Sequence, residues 1–447
     1  MRGLKIICII LISIVLTGCW DGDELEDQSY VVAMGIDKGL EEDNLVITLQ
    51  IANPQVGSSD TAKAEKEPAQ EIITFLVPDM VVIRDLANIS VSRRITYDQM
   101  RTMIVSEELM KEGMFFNLLD SITRDPEFQR DVKLIISKEK ANEFINNQKH
   151  LLETRPHKHY AFMAERWKDT GLSPETEIGH LLQRTEEDAG LYLAAYATVV
   201  KEEEKGKQDG EQTQSTQGGQ ESETQKSGES EDQLKLKEGQ KYGKEDDYIA
   251  GEVIKKGGNP TQMIGSAVIK EGVMIGTLTG EETRLALLMR PKSEVSNWKA
   301  VYKDPLHEKK HISARLLKAG KTDIKVNIKD GKLTIDCKVK ADLKILLIRS
   351  FENYISDIKL QKKLEQSIEK QLEIKAMDLV EKTQQDLNGD IFQWHLPGRK
   401  EFLTVNEYKD FNWMEQYPNA IVNVEFDISI TNFGKQLDPI DADEIRE

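Results

Sequence analysis

A long polar tract near the middle of the chain limits what this sequence can fold into. Residues 201–247 consist almost entirely of Lys, Glu, Asp, Gln, Ser, Thr and Gly, and their only large apolar residues are Leu234, Leu236 and Tyr242. A segment of this composition buries too little apolar surface to offset the entropy lost on ordering, so we expect disorder. The tract separates two regions that are each able to build a core.

The 447 residues are enough for two or three domains. We divide the chain into an export signal, an N-terminal α+β region, a disordered acidic insertion and a C-terminal α+β region, with bounds at 1–18, 19–200, 201–248 and 249–447.

Strand-like residues 191–200 run directly into the insertion, and an acidic, glycine-containing stretch before them leaves no adjacent partner on that side. Residues 265–278 beyond the insertion have the pattern of a hairpin that turns at Glu271 and Gly272. We expect strand 191–200 and this hairpin to share a sheet, because each doubling of loop length costs only about 0.6 kcal/mol.

The amino terminus combines a basic start, a short apolar run and a cysteine. Arg2 and Lys5 precede residues 6–16, which are apolar except for Ser13. This run is well short of the roughly 20 residues that span a bilayer as a helix, which favours a cleaved export signal over a retained transmembrane anchor.

The residues at the end of this signal, Leu16-Thr-Gly-Cys19, resemble the bacterial lipobox. In a lipobox the cysteine thiol receives a diacylglyceryl group and becomes the new amino terminus. Two or more acyl chains give stable anchoring, whereas one chain holds a protein only marginally. The sequence therefore predicts lipidation at Cys19 and attachment to the outer face of a cytoplasmic membrane.

Charge and cysteine content agree with an exported protein that binds no nucleic acid. The net charge of −18 argues against nucleic acid and against a polybasic membrane-binding surface. Acidic residues directly follow the anchor, so we expect the body to stand off anionic headgroups. If Cys8 leaves with the signal and Cys19 is lipidated, only Cys337 remains, and its apolar surroundings predict a small buried side chain.

Hydrophobic periodicity predicts an α+β fold: a multi-domain ectodomain of mixed or antiparallel sheets with packed helices. In the N-terminal half, strands are expected at 30–37, 44–52, 71–77, 103–105 and 132–137, and helices are expected to begin at Pro78 and at Glu107.

The C-terminal half has clearer local signals. Thr279 and Glu282 have the spacing of a capping box, and Asp330-Gly331 predicts the turn of a hairpin over 321–343. One long amphipathic helix is expected near 351–386, followed by a strand at 423–431. Apolar residues recur every four positions in this helix, which favours packing against its own domain over a coiled-coil partner.

A search for catalytic motifs yields two weak candidates. Ser356-Asp-Ile-Lys359 and Ser367-Ile-Glu-Lys370 fit Ser-x-x-Lys, but their companion motifs are missing and the surrounding helix is rich in Lys and Glu. His157 and His159 are spaced to begin a metal site, yet no third ligand follows at a suitable distance. We therefore predict no catalytic site, no metal site and no cofactor.

Short blocks along the chain, taken in order with the lipobox, resemble the Ger(x)C (GerAC-type) family of spore germination lipoproteins. The blocks are Cys19-Trp-Asp21, Met34-Gly-Ile-Asp37, Ile83-Arg-Asp-Leu86, Ser92-Arg-Arg94, Glu107-Glu-Leu109, Arg124-Asp-Pro-Glu-Phe128, Gly265-Ser-Ala-Val268, Ile275-Gly276, Glu281-Glu-Thr283, Asp390-Ile-Phe392, Trp413 and Tyr417-Pro418.

The resemblance implies a C subunit of a nutrient germinant receptor without catalytic activity. Its partners would be integral membrane A-type and B-type subunits in the spore inner membrane, together with the lipid bilayer. Two alternatives remain: a substrate-binding lipoprotein of an ABC importer, whose strands and helices usually alternate throughout, and a cell-wall hydrolase, for which no motif is present.

Overall fold

The computed structural model describes residues 27–41, 44–52, 70–148, 167–187, 190–200, 247–292 and 297–434, and the single residues Gly3, Tyr160, Glu165 and Val295. Most of the predicted export signal, Cys19, the pair His157 and His159, and residues 201–246 of the insertion lie outside this part of the chain.

The first nine strands form one sheet, here called sheet A, in the order β3-β2-β1-β5-β6-β7-β8-β9, with β4 beside β1. Their bounds are β1 Gln28–Lys38, β2 Leu45–Ala52, β3 Gln70–Val77, β4 Arg94–Thr96, β5 Thr102–Ser106, β6 Lys133–Ser137, β7 Tyr192–Val199, β8 Thr261–Lys270 and β9 Val273–Leu278.

The remaining strands form sheet B, in the order β10-β11-β13-β12, with β14 parallel to β13 on its other side. Their bounds are β10 Asn297–Lys303, β11 His311–Lys318, β12 Asp323–Lys329, β13 Lys332–Ile348 and β14 Ile421–Asn432. The predicted hairpin turning at Asp330-Gly331 is confirmed, since β12 and β13 pair antiparallel from Asp323 opposite Lys338 to Lys329 opposite Lys332.

Helices pack against both sheets. Their bounds are α1 Ile83–Asn88, α2 Glu107–Lys111, α3 Met114–Arg124, α4 Ala141–Asn146, α5 Trp167–Thr170, α6 Ile178–Glu187, α7 Gly280–Leu288, α8 Ile358–Gln385, α9 His395–Gly398, α10 Val405–Phe411 and α11 Trp413–Gln416. The fold is α+β with mixed sheets, as predicted, because β1, β5, β6 and β7 run parallel between antiparallel neighbours.

The acidic insertion connects two adjacent strands of sheet A. Strand β7 ends just before it, and β7 pairs antiparallel with β8 from Tyr192 opposite Ile269 to Val199 opposite Thr261. The change from sheet A to sheet B falls after β9, within the predicted C-terminal region 249–447. A hydrophobic core that includes Leu193 and Val268 of sheet A continues into sheet B.

The long helix is shorter at its start than the predicted 351–386. Helix α8 begins at Ile358, where the Asp357 side chain accepts hydrogen bonds from the N–H groups of Lys359 and Leu360. Phe351 has a φ of 61°, which no helical residue adopts, and Asn353 organises a turn before the cap. The apolar periodicity of 351–357 therefore belongs to a loop.

The helix predicted from Glu107 is broken by a glycine. Gly113 has a φ of 74°, so α2 ends at Lys111 and α3 starts at Met114.

Two other local predictions are confirmed. Thr279 and Glu282 form the capping box of α7, and Cys337 is buried at 2% exposure.

Candidate functional site

The Ser-x-x-Lys candidates do not assemble into a catalytic pair. Ser356 lies exposed in the loop before α8, and the Ser367 hydroxyl accepts a hydrogen bond from Gln371 on the same helix while Lys370 points into solvent. Among the described residues there is also no cluster of three His, Cys, Asp or Glu side chains placed to hold a metal ion.

The Met34–Asp37 block fixes helix α4 on sheet A. A Cβ atom at Gly35 would lie 2.8 Å from Cδ1 of Ile145, so glycine permits the close approach of the helix. The buried Asp37 carboxylate accepts hydrogen bonds from the N–H groups of Ala141 and Asn142, at 2.7 and 2.9 Å. Burial raises the pKa of Asp37, and these two N–H groups oppose that rise.

Two other blocks meet through Arg84. The guanidinium group contacts the Asp125 carboxylate at 2.7 Å and the Glu127 carboxylate at 3.2 Å, so α1 is joined to the loop after α3. Glu127 also accepts hydrogen bonds from the Thr96 hydroxyl and the N–H of Tyr97. We call Arg84, Thr96, Tyr97, Asp125 and Glu127 the Arg84 cluster.

Aromatic contacts complete this cluster. The Arg84 guanidinium lies 4.8 Å from the centre of the Tyr97 ring, which stacks on Phe128 at 4.9 Å. Burial raises the pKa of Tyr97 to about 12, so its hydroxyl stays protonated. A cavity of about 440 Å³ opens beside the cluster, with Met80, Ile122 and Phe128 among its walls.

The C-terminal block is organised by one buried carboxylate. Asp390 accepts hydrogen bonds from the N–H groups of Phe392 and His395, at 2.7 and 3.1 Å, and from the indole N–H of Trp413 at 3.2 Å. It also lies 3.4 Å from Nδ1 of His395. We call Asp390, Phe392, His395 and Trp413 the Asp390 cluster.

His395 is held in its neutral form. Arg184 lies 2.8 Å from Nε2 of His395, and a guanidinium group only donates, so Nε2 accepts and Nδ1 carries the proton toward Asp390. Burial lowers the pKa of His395, while the Asp390 carboxylate acts in the opposite direction. The two ring nitrogens are thus engaged by opposite halves of the chain.

The Asp390 cluster joins the two halves of the molecule. Arg184 lies on α6, and the N–H of Leu191, next to β7, donates to the Asp390 carbonyl at 2.9 Å. Arg290, just after α7, donates to the Ile391 carbonyl at 3.3 Å. The segment from Asp390 to His395 therefore contacts elements that belong to sheet A as well as the core of sheet B.

Comparisons with known proteins account for these blocks. A family model described as "Spore germination protein N-terminal domain" matches residues 21–202, and one described as "Spore germination B3/ GerAC like, C-terminal" matches residues 264–434. The two ranges together take in most of the chain. The chain belongs to the GerAC family of spore germination proteins.

Relatives of this GerAC-family protein occur in Bacillus subtilis (strain 168). It is 30% identical to spore germination protein KC over 147 residues, which are 32% of this chain and 36% of that protein. Putative spore germination protein YfkR matches at 30% over 37% of its length, and spore germination protein A3 at 23% over 38%. Each match spans between a third and two fifths of the relative.

A solved structure also aligns with this GerAC-family protein. The crystal structure of the GerBC protein covers 91% of this chain and 99% of the GerBC chain, with 16% sequence identity and a TM-score of 0.49.

The structure of this family member places the motif residues in supporting roles. Gly35 and Asp37 seat a helix, Arg84 joins two elements, and Asp390 orders a loop. Sequence reasoning missed Arg184 and His395, which are 211 residues apart and meet only through folding. The isolated histidine of the Asp390-Ile-Phe-Gln-Trp-His395 segment was the one available signal.

A second cavity, of about 430 Å³, lies beside the Asp390 cluster. Its walls include Arg184, Arg290 and Lys292 against Glu175, so positive charge predominates. Burial lowers the pKa of Arg290 to about 10, and the nearby Arg184 adds to this effect, yet Arg290 remains protonated at neutral pH. Among the described lining residues of either cavity, no serine or cysteine lies next to a histidine base.

Proposed function

We propose that this GerAC-family protein is the lipid-anchored C subunit of a nutrient germinant receptor and acts in germination signalling without catalysis. It would be held on the outer face of the spore inner membrane through Cys19, beside integral membrane A-type and B-type subunits. The observation that carries the proposal is the succession of both GerAC family domains on one chain, after residues 16–19 that resemble a lipobox.

Anchoring through lipid is consistent with the folded part of the chain. Within the residues that the structure describes, no helix combines the length and apolar character that crossing a membrane requires. A diacylated Cys19 supplies stable attachment without such a helix. The nine residues 19–27 then serve as the tether between the lipid and the start of β1 at Gln28.

A non-catalytic role is supported by how three buried or partly buried carboxylates are used. The carboxylates of Asp37, Asp125 and Asp390 each accept hydrogen bonds that seat a helix, a loop or a neighbouring segment. Such groups stabilise the fold. A catalytic acid or base must instead be free to exchange a proton with a bound substrate. The importer and hydrolase alternatives lack an observation that favours them.

Co-purification from spore membranes is the experiment that tests this proposal. Affinity-tagged full-length protein, extracted from dormant spores in mild detergent, should retain two integral membrane proteins in stoichiometric amounts. A strain that lacks the gene should respond slowly or not at all to particular nutrients while it grows and sporulates normally. Recovery of the protein with an ATP-binding transporter subunit would overturn the proposal in favour of an importer.

A further inference from the structure

The pairing of β1 with β4 places the starts of both strands at the same end of sheet A. These strands are parallel, with Gln28 opposite Arg94 and Tyr30 opposite Thr96. The residues that precede β1 and those that precede β4 therefore lie at the same end of the strands. A nine-residue tether reaches at most about 30 Å, so Cys19 stays within that distance of Gln28, which pairs with Arg94 at the start of β4.

The loop that enters β4 is firmly held. The Asn88 side chain accepts a hydrogen bond from the N–H of Ile95 at 2.8 Å, which pins the two ends of the loop together. The N–H of Val91 donates to the Ala87 carbonyl, and the Val91 side chain packs against the core. The conformation of residues 89–94 is thus fixed by internal contacts.

This loop presents an apolar side chain beside two arginines. Ile89 is 83% exposed, Arg94 is exposed and Arg93 is half-buried. One exposed isoleucine is ordinary on a protein surface. Ile89 differs in its position, because it projects from a rigid loop at the end of sheet A where the tether from Cys19 attaches.

We propose that residues 89–94 form a membrane-contacting loop that rests in the bilayer interface next to the lipid anchor. Ile89 enters the boundary between headgroups and acyl chains, while Arg93 and Arg94 attract anionic headgroups. This inference rests on the proposed lipidation of Cys19. The acidic residues between Cys19 and Gln28 oppose this attraction, so the contact is limited to this loop and the rest of the body stands off the surface.

A pair of labelled cysteine variants tests the orientation. Ile89→Cys and Leu40→Cys are made in the acylated full-length protein, labelled with a polarity-sensitive fluorophore and reconstituted in vesicles of phosphatidylglycerol and phosphatidylcholine. Leu40 is 95% exposed and lies two residues beyond Lys38, which ends β1 roughly 33 Å along the strand from Gln28, so it reports on the opposite end of the sheet. Cys337 contributes little labelling, because burial raises its pKa to about 12.

Quenching by lipids with a nitroxide at the headgroup gives the result. We expect at least threefold stronger quenching of the label at position 89 than at position 40. Equal quenching at the two positions, or stronger quenching at position 40, would overturn the proposal. Mass spectrometry of the Cys19 peptide beforehand separates this outcome from a failure of lipidation itself.

Discussion

The carboxylate of Glu369 accepts a hydrogen bond from the backbone N–H of Ile428 at 2.9 Å, which links α8 to the outer side of β14. This pair is the middle rung of a ladder. Its neighbours are Glu365 with the N–H of Ile430 at 2.7 Å and Glu373 with the N–H of Phe426 at 3.2 Å.

The ladder works because two periodicities match. Four helical residues rise about 6 Å, and two strand residues rise about 6.6 Å, so glutamates at every fourth position of α8 meet alternate N–H groups of β14. The free edge of a strand otherwise offers unpaired N–H groups to another chain. The helix thus satisfies this edge and covers it.

Replacement of Glu369 separates its hydrogen bond from its charge. Glu369→Ala leaves the N–H of Ile428 without an acceptor and should lower the free energy of unfolding by about 1–2 kcal/mol. Glu369→Gln keeps an acceptor oxygen and should remain within about 0.5 kcal/mol of wild type, since burial already raises the pKa of this carboxyl group. Urea unfolding measures both, and Asp378→Ala on the exposed face of α8 is the control. Equal losses for Ala and Gln would contradict this account.

His395 should make stability depend on pH. Burial lowers its pKa in the folded state below the ordinary value of 6.5, so the unfolded chain binds the proton more tightly. The contribution of His395 to the free energy of unfolding is fully present above pH 6.5. It is lost as the pH falls below 6.5, by up to about 1.4 kcal/mol per pH unit. The free energy of unfolding, measured at several values between pH 7 and pH 5, should depend less steeply on pH in His395→Gln than in wild type. An unchanged slope would assign the dependence to other groups.

Arg84 should matter for stability more than the Tyr97 hydroxyl does. Arg84→Met removes the partner of Asp125 and Glu127, whose side chains are 27% and 25% exposed. Because these groups are partly solvated, we expect a loss of about 1–2 kcal/mol. Tyr97→Phe removes a buried hydroxyl that has no hydrogen-bond partner among the described residues, so it should change stability by less than about 0.5 kcal/mol. Thermal unfolding of the two variants compares them directly, and the reverse order would refute the assignment.

Cys19→Ala should abolish acylation. The variant is expected to accumulate as uncleaved precursor or to leave the membrane fraction, because no thiol remains to receive the diacylglyceryl group. Labelling with radioactive palmitate, followed by fractionation, measures both outcomes. Palmitate incorporation at the wild-type level would show that lipid is attached elsewhere.

Replacing residues 203–246 with a short Gly/Ser turn should preserve folding and slightly raise the melting temperature. The pairing of β7 with β8 holds the two ends of this segment in one sheet. A shorter connection loses less entropy when its ends are brought together, which stabilises the folded state. Limited proteolysis inside the segment should leave both wild-type fragments associated on gel filtration. Fragments that separate and each remain folded would show that the segment links independent domains.

Local signals in the sequence determined many elements. Apolar patterning located most of the strands, although β4, β10 and β11 were not predicted. Thr279 and Glu282 indicated a capping box, and Asp330-Gly331 indicated a hairpin turn. Each of these features depends on residues a few positions apart, so periodicity and turn chemistry are sufficient to find them. The order of blocks along the chain was likewise enough to recognise the GerAC family.

Only the tertiary structure decided how these elements meet. Arg84 and Asp125 are 41 residues apart, and Arg184 and His395 are 211 apart, so no local pattern announces either contact. The start of α8 at Ile358 depends on a cap and a left-handed Phe351 that apolar spacing does not reveal. The glutamates of α8 look like a solvated helix face in the sequence, and their role emerges only when β14 lies beside them, because a backbone N–H carries no signature of its own in the sequence.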